Sequence, residues 1–380
     1  MPESAQGKLI AFVSYNAWTM YNFRLEVLKN FLDRGFQVLI IAEEDAWVDR
    51  LVQLGCRFVA VQIRNRSLNP IHDLQLFFHL KQIYKKHRPH FIFHYVAKPN
   101  IYGTAAAGLL GIPSIAVITG LGHAFNKHNL LRGIIKAMYR YALRSAAEVW
   151  CLNKDDAEYF AAHNLVPVQK LKVLSGEGVN TGYFDRAAFA KKEPGLFTFL
   201  LSARLLKSKG ILEYADAALI LKRKNYSIHC YLLGAVEAHP DAIGADQINK
   251  WEEERGIRYL GFTKDVRPYL SQADCFVYPS YYNEGVPRSL LEACSMELPV
   301  ITTDNTGCKE LVEEGRSGLV CKKKDRFELA ARMEEMLLMA EARRKAMGKR
   351  GREIVQATYA VEGIIRSYNL AVDQFLMDND

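Results

Sequence analysis

In this 380-residue chain, two carboxylates, Glu284 and Glu292, are separated by seven residues, and Gly285, Val286 and Pro287 follow the first of them. The run just before, Cys275 to Tyr278, is short, β-branched and aromatic, as a buried strand should be. Leu290, Leu291 and Ala293 continue a helix for which Pro287 fits the first turn, where the missing N–H of proline costs nothing. The pattern predicts strand, tight loop and helix, with Glu284 on the loop and Glu292 about one and a half turns in. A helix start offers free N–H groups and the positive end of the dipole to an anion. Such a place suits a ligand carrying phosphates and hydroxyls.

A second group of chemical residues has the same setting. The strand-like run Phe197 to Ser202 leads into Ala203-Arg204-Leu205-Leu206-Lys207-Ser208-Lys209-Gly210 and then a helix. In open α/β sheets, ligands bind in the crevice at the carboxyl ends of strands. Arg204 can fork two phosphate oxygens, and Lys209 adds a point charge beside the helix start. Other chemistries lack their signatures. Gly120-Leu121-Gly122 and Gly176-Glu177-Gly178 miss the third glycine of a dinucleotide fingerprint. There is no Walker sequence, no His-Glu-x-x-His and no Gly-x-Ser-x-Gly. The seven cysteines are scattered singly, without metal-ligand spacing, and read as buried thiols.

The elements that must position these residues alternate between strand-like and helix-like patterns, which predicts parallel sheets with helices on both faces. Strands are expected at Lys8 to Ser14, Gln37 to Ala42, Arg57 to Gln62, Phe91 to His94, Ser114 to Ile118, Glu148 to Cys151 and Leu171 to Leu174. Helices are expected at Phe23 to Arg34, His72 to Lys86 and Leu130 to Ser145. The uncharged stretch Pro99 to Gly122 is broken by Gly111-Ile112-Pro113 and is too short on either side to cross a bilayer. A Pro-Gly pair ends the basic segment Arg186 to Gly195, and the alternation then restarts, with strands at Phe197 to Ser202, Ser227 to Leu233, Ile257 to Leu260, Cys275 to Tyr278 and Val300 to Thr302. Two domains follow, 1–190 and 191–358, with a helix over 359–380 packing back on the first.

Charge is unevenly shared. Residues 1–190 hold 22 Lys/Arg against 14 Asp/Glu, whereas the remainder holds 28 of each. Arg57 to Arg144 contains thirteen basic residues, seven histidines and a single acid, Asp73. A block so one-sided attracts polyanions or an anionic membrane surface. Within it, Arg132, Lys136, Arg140 and Arg144 form a basic stripe along the helix from Leu130 to Ser145, while Ile134, Ile135 and Met138 are expected to pack inward. The polar opening Met1 to Gln6 shows no signal-peptide pattern.

Together these residues resemble a known family. Glu284-Gly-Val-Pro, Leu290-Leu291-Glu292-Ala293, Pro299-Val300-Ile301-Thr302-Thr303, Gly307, Glu310-Leu311-Val312, Gly315 and Gly318-Leu319-Val320 are similar to the signature of retaining glycosyltransferases of family 4. Arg204, Lys209 and Gly210 match the phosphate loop of that family, and Gly178-Val179-Asn180 with Phe184 resembles its pre-linker motif. Lys98-Pro99-Asn100-Ile101-Tyr102-Gly103 and Thr119-Gly120-Leu121-Gly122-His123 resemble a bacterial branch that builds surface polysaccharides and lipid-linked oligosaccharides. The chain departs from the pattern in four places. Ser14-Tyr15-Asn16-Ala17-Trp18 replaces a glycine-rich loop, Asn180 stands where the family more often has Asp, and Glu297 and Cys308 each replace a glycine.

The resemblance implies a GT-B fold, α/β, with two Rossmann-like domains facing across a cleft, the acceptor bound by the first and the donor by the second. It implies a retaining, metal-independent transfer from a nucleotide sugar, a UDP-sugar with a hexose or HexNAc, to a lipid-pyrophosphate-linked glycan. Arg204 and Lys209 would hold the diphosphate, and Glu292 the ribose hydroxyls. Glu284, with Gly285, Val286 and Pro287, would meet the sugar and phosphate, and His123 the donor sugar. His94, Lys98 and Asn100 are candidates to face the acceptor. No cofactor and no nucleic-acid partner is expected. The expected location is cytoplasmic, peripheral on the inner face of the membrane through the basic first domain. The alternatives are a GT-B sugar-nucleotide epimerase or synthase, and a non-catalytic polyanion binder.

Overall fold

The computed structural model describes residues 7–64, 69–120, 129–190, 195–236, 239–282 and 285–377. The chain divides into two compact units, Met1–Glu177 with Val361–Asp380, and Gly178–Ala360. The break thus falls before residue 190. Val179 and Phe184 are buried in the core of the second unit, and the Val179 N–H donates to the Tyr359 carbonyl at 2.9 Å, so the pre-linker segment belongs there.

The described residues of the first unit form a seven-stranded parallel sheet. Its strands are β1 (Leu9–Asn16), β2 (Gln37–Glu43), β3 (Arg57–Ala60), β4 (Phe91–Tyr95), β5 (Ser114–Ile118), β6 (Glu148–Cys151) and β7 (Leu171–Val173), in the order β3-β2-β1-β4-β5-β6-β7. All five residues of β4 and of β5 are buried, as apolar strands covered on both faces must be. Helices α1 (Ala17–Asp33), α2 (Val48–Gln53), α3 (Pro70–His87), α4 (Thr104–Leu109), α5 (Asn129–Ala142) and α6 (Lys154–Ala162) cover it. Of these, α2 and α6 were not foreseen, being short and weakly periodic. Asn16 ends β1 and also caps α1, its side chain accepting from the Thr19 N–H. The turn there is therefore tight without glycine. On α5, Ile134 is 50% exposed instead of packing inward, whereas Ile135 and Met138 rest against the core.

The second unit holds β8 (Phe197–Ser202), β9 (Ile228–Leu233), β10 (Ile257–Tyr259), β11 (Cys275–Tyr278), β12 (Val300–Thr303) and β13 (Gly318–Cys321). Its described strands make a parallel sheet in the order β10-β9-β8-β11-β12-β13. The strand β13 coincides with the Gly318-Leu319-Val320 motif and is not among the strands expected from sequence. Helices α7 (Ile211–Arg223), α8 (Ala245–Arg255), α9 (Arg267–Gln272), α10 (Arg288–Ser295), α11 (Arg326–Leu338) and α12 (Glu341–Ile354) complete this unit. The last helix, α13 (Val361–Met377), buries Ile364, Tyr368, Ala371 and Val372 in the core of the first unit beside Phe91, Phe93 and Trp150. Tyr368 meets Trp150 edge-on at 5.0 Å and shares a 2.8 Å hydrogen bond with Tyr95 Oη. Arg24, 3% exposed, is ion-paired with Glu177, the last residue of the unit before the chain crosses.

Candidate functional site

Strand order reverses between β8 and β11, and a crevice opens at the carboxyl ends of strands where the order reverses. The two loops that border it are β8–α7 and β11–α10, and these carry the two groups of chemical residues.

The β8–α7 loop is held from beneath. Leu205 and Leu206 are buried, the Lys207 N–H donates to Asp241 O at 2.8 Å, and the Ser208 N–H donates to Asp241 Oδ2 at 3.0 Å. Gly210 has φ +75°, and a Cβ there would lie 2.1 Å from the Pro279 carbonyl oxygen. Only glycine allows the two loops to approach so closely. Arg204 is exposed on this loop. Lys209 is 4% exposed: its Nζ donates to Tyr278 Oη at 2.9 Å and lies 5.5 Å and 5.1 Å from the ring centroids of Tyr278 and Tyr282. A buried ammonium needs such partners.

The β11–α10 loop is stapled by β12. Thr302 Oγ1 donates to Tyr278 O at 2.9 Å, Thr303 Oγ1 donates to Ser280 O, and Asn305 Nδ2 donates to Tyr282 O at 2.7 Å. The three donors are essentially buried. They fix alternate carbonyls along the segment that leads to Glu284. Thr302 and Thr303 stand in the Pro299-Val300-Ile301-Thr302-Thr303 motif but with no role assigned, and Asn305 is signalled only by the polar run Thr303-Asp304-Asn305-Thr306 at a strand end.

Glu284 and His123 themselves lie outside the described residues. Gly285, Val286 and Pro287 are buried. Pro287, with φ −65° and ψ 127°, is the residue before the first turn of α10, not a member of it. Glu292 Oε1 accepts from Arg288 Nε at 3.0 Å, one turn earlier on α10. Burial raises the Glu292 carboxyl above its ordinary range, and Arg288 opposes that shift. Glu292 is thus an acceptor restrained by a residue of its own helix.

The first-unit candidates fare differently. His94 is wholly buried between Tyr84 Oη at 3.0 Å and Thr104 Oγ1 at 3.2 Å, and burial pushes it down to about 3, so it is a neutral packing residue. Asn100 is 1% exposed and donates to Val117 O at 2.9 Å, tying the π-helical turn Pro99–Gly103 to β5. Neither is placed to face an acceptor, which corrects the expectation for both. Lys98 donates to Asp73 Oδ1 at 2.5 Å, and Tyr102 Oη donates to the other oxygen of Asp73 at 2.9 Å. Cys308, at 0% exposure, is a packing thiol.

Residues 185–354 match the family described as glycosyl transferases group 1, and residues 9–153 match the one described as glycosyl transferase 4-like. Over 343 residues the chain is 29% identical to the N,N'-diacetylbacillosaminyl-diphospho-undecaprenol alpha-1,3-N-acetylgalactosaminyltransferase of Campylobacter jejuni, covering 86% of this chain and 89% of that one. It is 25% identical over 302 residues to the Escherichia coli UDP-Gal:alpha-D-GlcNAc-diphosphoundecaprenol alpha-1,3-galactosyltransferase, covering 76% and 77%. Among solved structures, a glycosyltransferase from Rickettsia africae superposes with TM-score 0.81 at 18% identity, covering 97% of this chain and 99% of that one. Anabaena HepE in complex with UDP-glucose superposes with TM-score 0.76 at 17% identity, covering 96% and 99%.

Proposed function

We propose that this chain, which belongs to the group 1 and 4-like glycosyl transferases, moves a hexose or N-acetylhexosamine from a UDP-activated donor to a glycan carried on a lipid diphosphate. The observation that carries the reading is that exposed Arg204 and ring-flanked Lys209 sit on the β8–α7 loop and restrained Glu292 on α10, after the two strands between which the strand order reverses. The Campylobacter and Escherichia relatives, named for undecaprenol-diphosphate-linked acceptors, support the acceptor class. HepE, solved with UDP-glucose, supports the donor.

In this reading Arg204 forks the donor diphosphate and Lys209 adds a fixed cation. The N–H groups at the start of α10 face the same oxygens. Glu292 accepts hydrogen bonds from the ribose hydroxyls, and Glu284 and His123 meet the sugar. The bond from the anomeric carbon to the phosphate oxygen breaks, and its electron pair leaves with UDP. Fixed positive charge at that oxygen stabilises the transition state where negative charge develops, without need of a divalent ion. The acceptor hydroxyl attacks from the face that UDP leaves and passes its proton to the departing phosphate, so configuration is retained without a covalent adduct. The enzyme acts at the inner face of the membrane that holds its acceptor.

The test is transfer from UDP-N-acetylhexosamine and UDP-hexose to an undecaprenyl-diphosphate-linked sugar in the presence of EDTA, with wild type and Glu284→Ala. Wild type should yield an α-linked product, and Glu284→Ala should lose transfer by at least about 100-fold with an unchanged circular-dichroism melt. Transfer at the wild-type rate by Glu284→Ala removes that residue from the reaction. An isomerised UDP-sugar without transfer would replace the proposal by an epimerase.

A further inference from the structure

Helix α3 is apolar on two opposite faces. Leu76, Leu80 and Tyr84 are buried against the first-unit sheet. On the opposite side of the same helix, Ile71, Leu74 and Phe78 are 64%, 57% and 50% exposed. Their spacing of three, four and seven places them in one stripe. A surface helix ordinarily turns a polar face to water, and clustered exposed apolar side chains mark a docking surface.

The charge around the stripe names its occupant. Lys85, Lys86 and Arg88 are exposed at the carboxyl end of α3, and Arg64 is exposed near its start, within hydrogen-bond distance of His72. The one acid of this sequence window, Asp73, lies on α3 but has both oxygens engaged, by Lys98 and Tyr102. An apolar stripe with cations at its ends fits an anionic lipid surface. A second copy of the chain would bring two cationic faces together, and among the described residues no helix is long and apolar enough to cross a membrane. The basic helix foreseen from sequence, α5, fits less well. Arg140 donates to the carbonyls of Asn164 and His163, and Lys136 lies over the Tyr159 ring, so both cations are used within the fold.

We propose that Ile71, Leu74 and Phe78 of α3 enter the headgroup region of an anionic bilayer, with Lys85, Lys86 and Arg88 against its phosphates. The biological purpose of this contact rests on the lipid-linked acceptor proposed above. The surface itself is testable without any acceptor.

The experiment is flotation of the full chain with vesicles of phosphatidylcholine alone and of phosphatidylcholine with 30% phosphatidylglycerol. Wild type should float with the anionic vesicles and far less with the neutral ones, and added salt should weaken binding. A triple variant, Ile71→Ser with Leu74→Ser and Phe78→Ser, should bind at least about tenfold more weakly. So should Lys85→Glu with Lys86→Glu, a surface variant that keeps the apolar stripe and guards against misfolding of the first. Both should keep the wild-type melting curve and wild-type transfer to a short-chain, water-soluble acceptor. The proposal is overturned if wild type stays unbound, if both variants float as wild type does, or if the triple substitution instead converts a dimer to a monomer. Vesicle binding by a chain that fails to glycosylate any lipid diphosphate would sink the acceptor reading and leave the surface standing.

Discussion

Lys209 and Asp156 are ionisable side chains that the fold has removed from water by different means. Lys209 gains a phenol oxygen and two ring faces. Asp156, 6% exposed at the start of α6, gains chiefly the Asn153 amide at 2.8 Å. Burial pushes its carboxyl up to about 6, only partly offset by Asn153 and aided by Asp155. An unfolded aspartate titrates near 4, so the folded chain holds the proton more tightly. The stability from that protonation is complete below pH ~4 and is lost as pH rises through about 6, a span worth about 3 kcal/mol. Asp156→Asn should therefore be more stable than wild type at pH 7 by up to that amount, with the gap closing near pH 4. Urea unfolding across this range checks it, and parallel pH profiles would contradict it. Single residues were unevenly legible in the sequence. Glu297, flagged for standing where the family has glycine, does adopt φ +57°, a strain on the order of 1 kcal/mol. His94 looked chemical because imidazole and a strand end suggest a site; its burial depends on Tyr84, ten positions earlier.

Elements were legible wherever apolar runs were long enough to show a period. β8, β11 and α3 therefore fell close to their expected bounds, whereas the six-residue α2 and β13, which opens on a glycine, did not show. What no period reveals is the ladder from β12 to the segment after β11. Its partners are 23 or 24 positions apart, and each donor is an ordinary polar residue. Asn305 holds the Tyr282 carbonyl, two residues before Glu284, and Tyr282 in turn faces Lys209. Asn305→Ala should remove that hydrogen bond at a cost of about 1 kcal/mol. Because the loop then loses its register, kcat should fall at least about tenfold with little change in acceptor KM. Unfolding curves and steady-state kinetics measure the two effects separately. An unaltered kcat in a destabilised protein would show that the ladder serves the fold alone.

At the scale of the whole molecule, alternation of strand and helix predicted two parallel-sheet units, and the charge count separated them. Their boundary was misplaced because composition marks the basic, Pro-Gly-containing segment, whereas burial of Val179 and Phe184 decides which unit the chain has joined. Strand order, which no local pattern displays, is what brings the β8–α7 loop beside the start of the β11–α10 loop, Gly210 against Pro279. The proposed transfer requires the second unit to bind a nucleoside diphosphate at the strand-order reversal. Calorimetric titration of UDP into the full chain in EDTA tests this most directly, with wild type, Arg204→Ala and Lys209→Ala. Wild type should bind UDP without metal, and each variant should bind it at least about tenfold more weakly. Equal UDP affinity in all three proteins, or none in wild type, would contradict it.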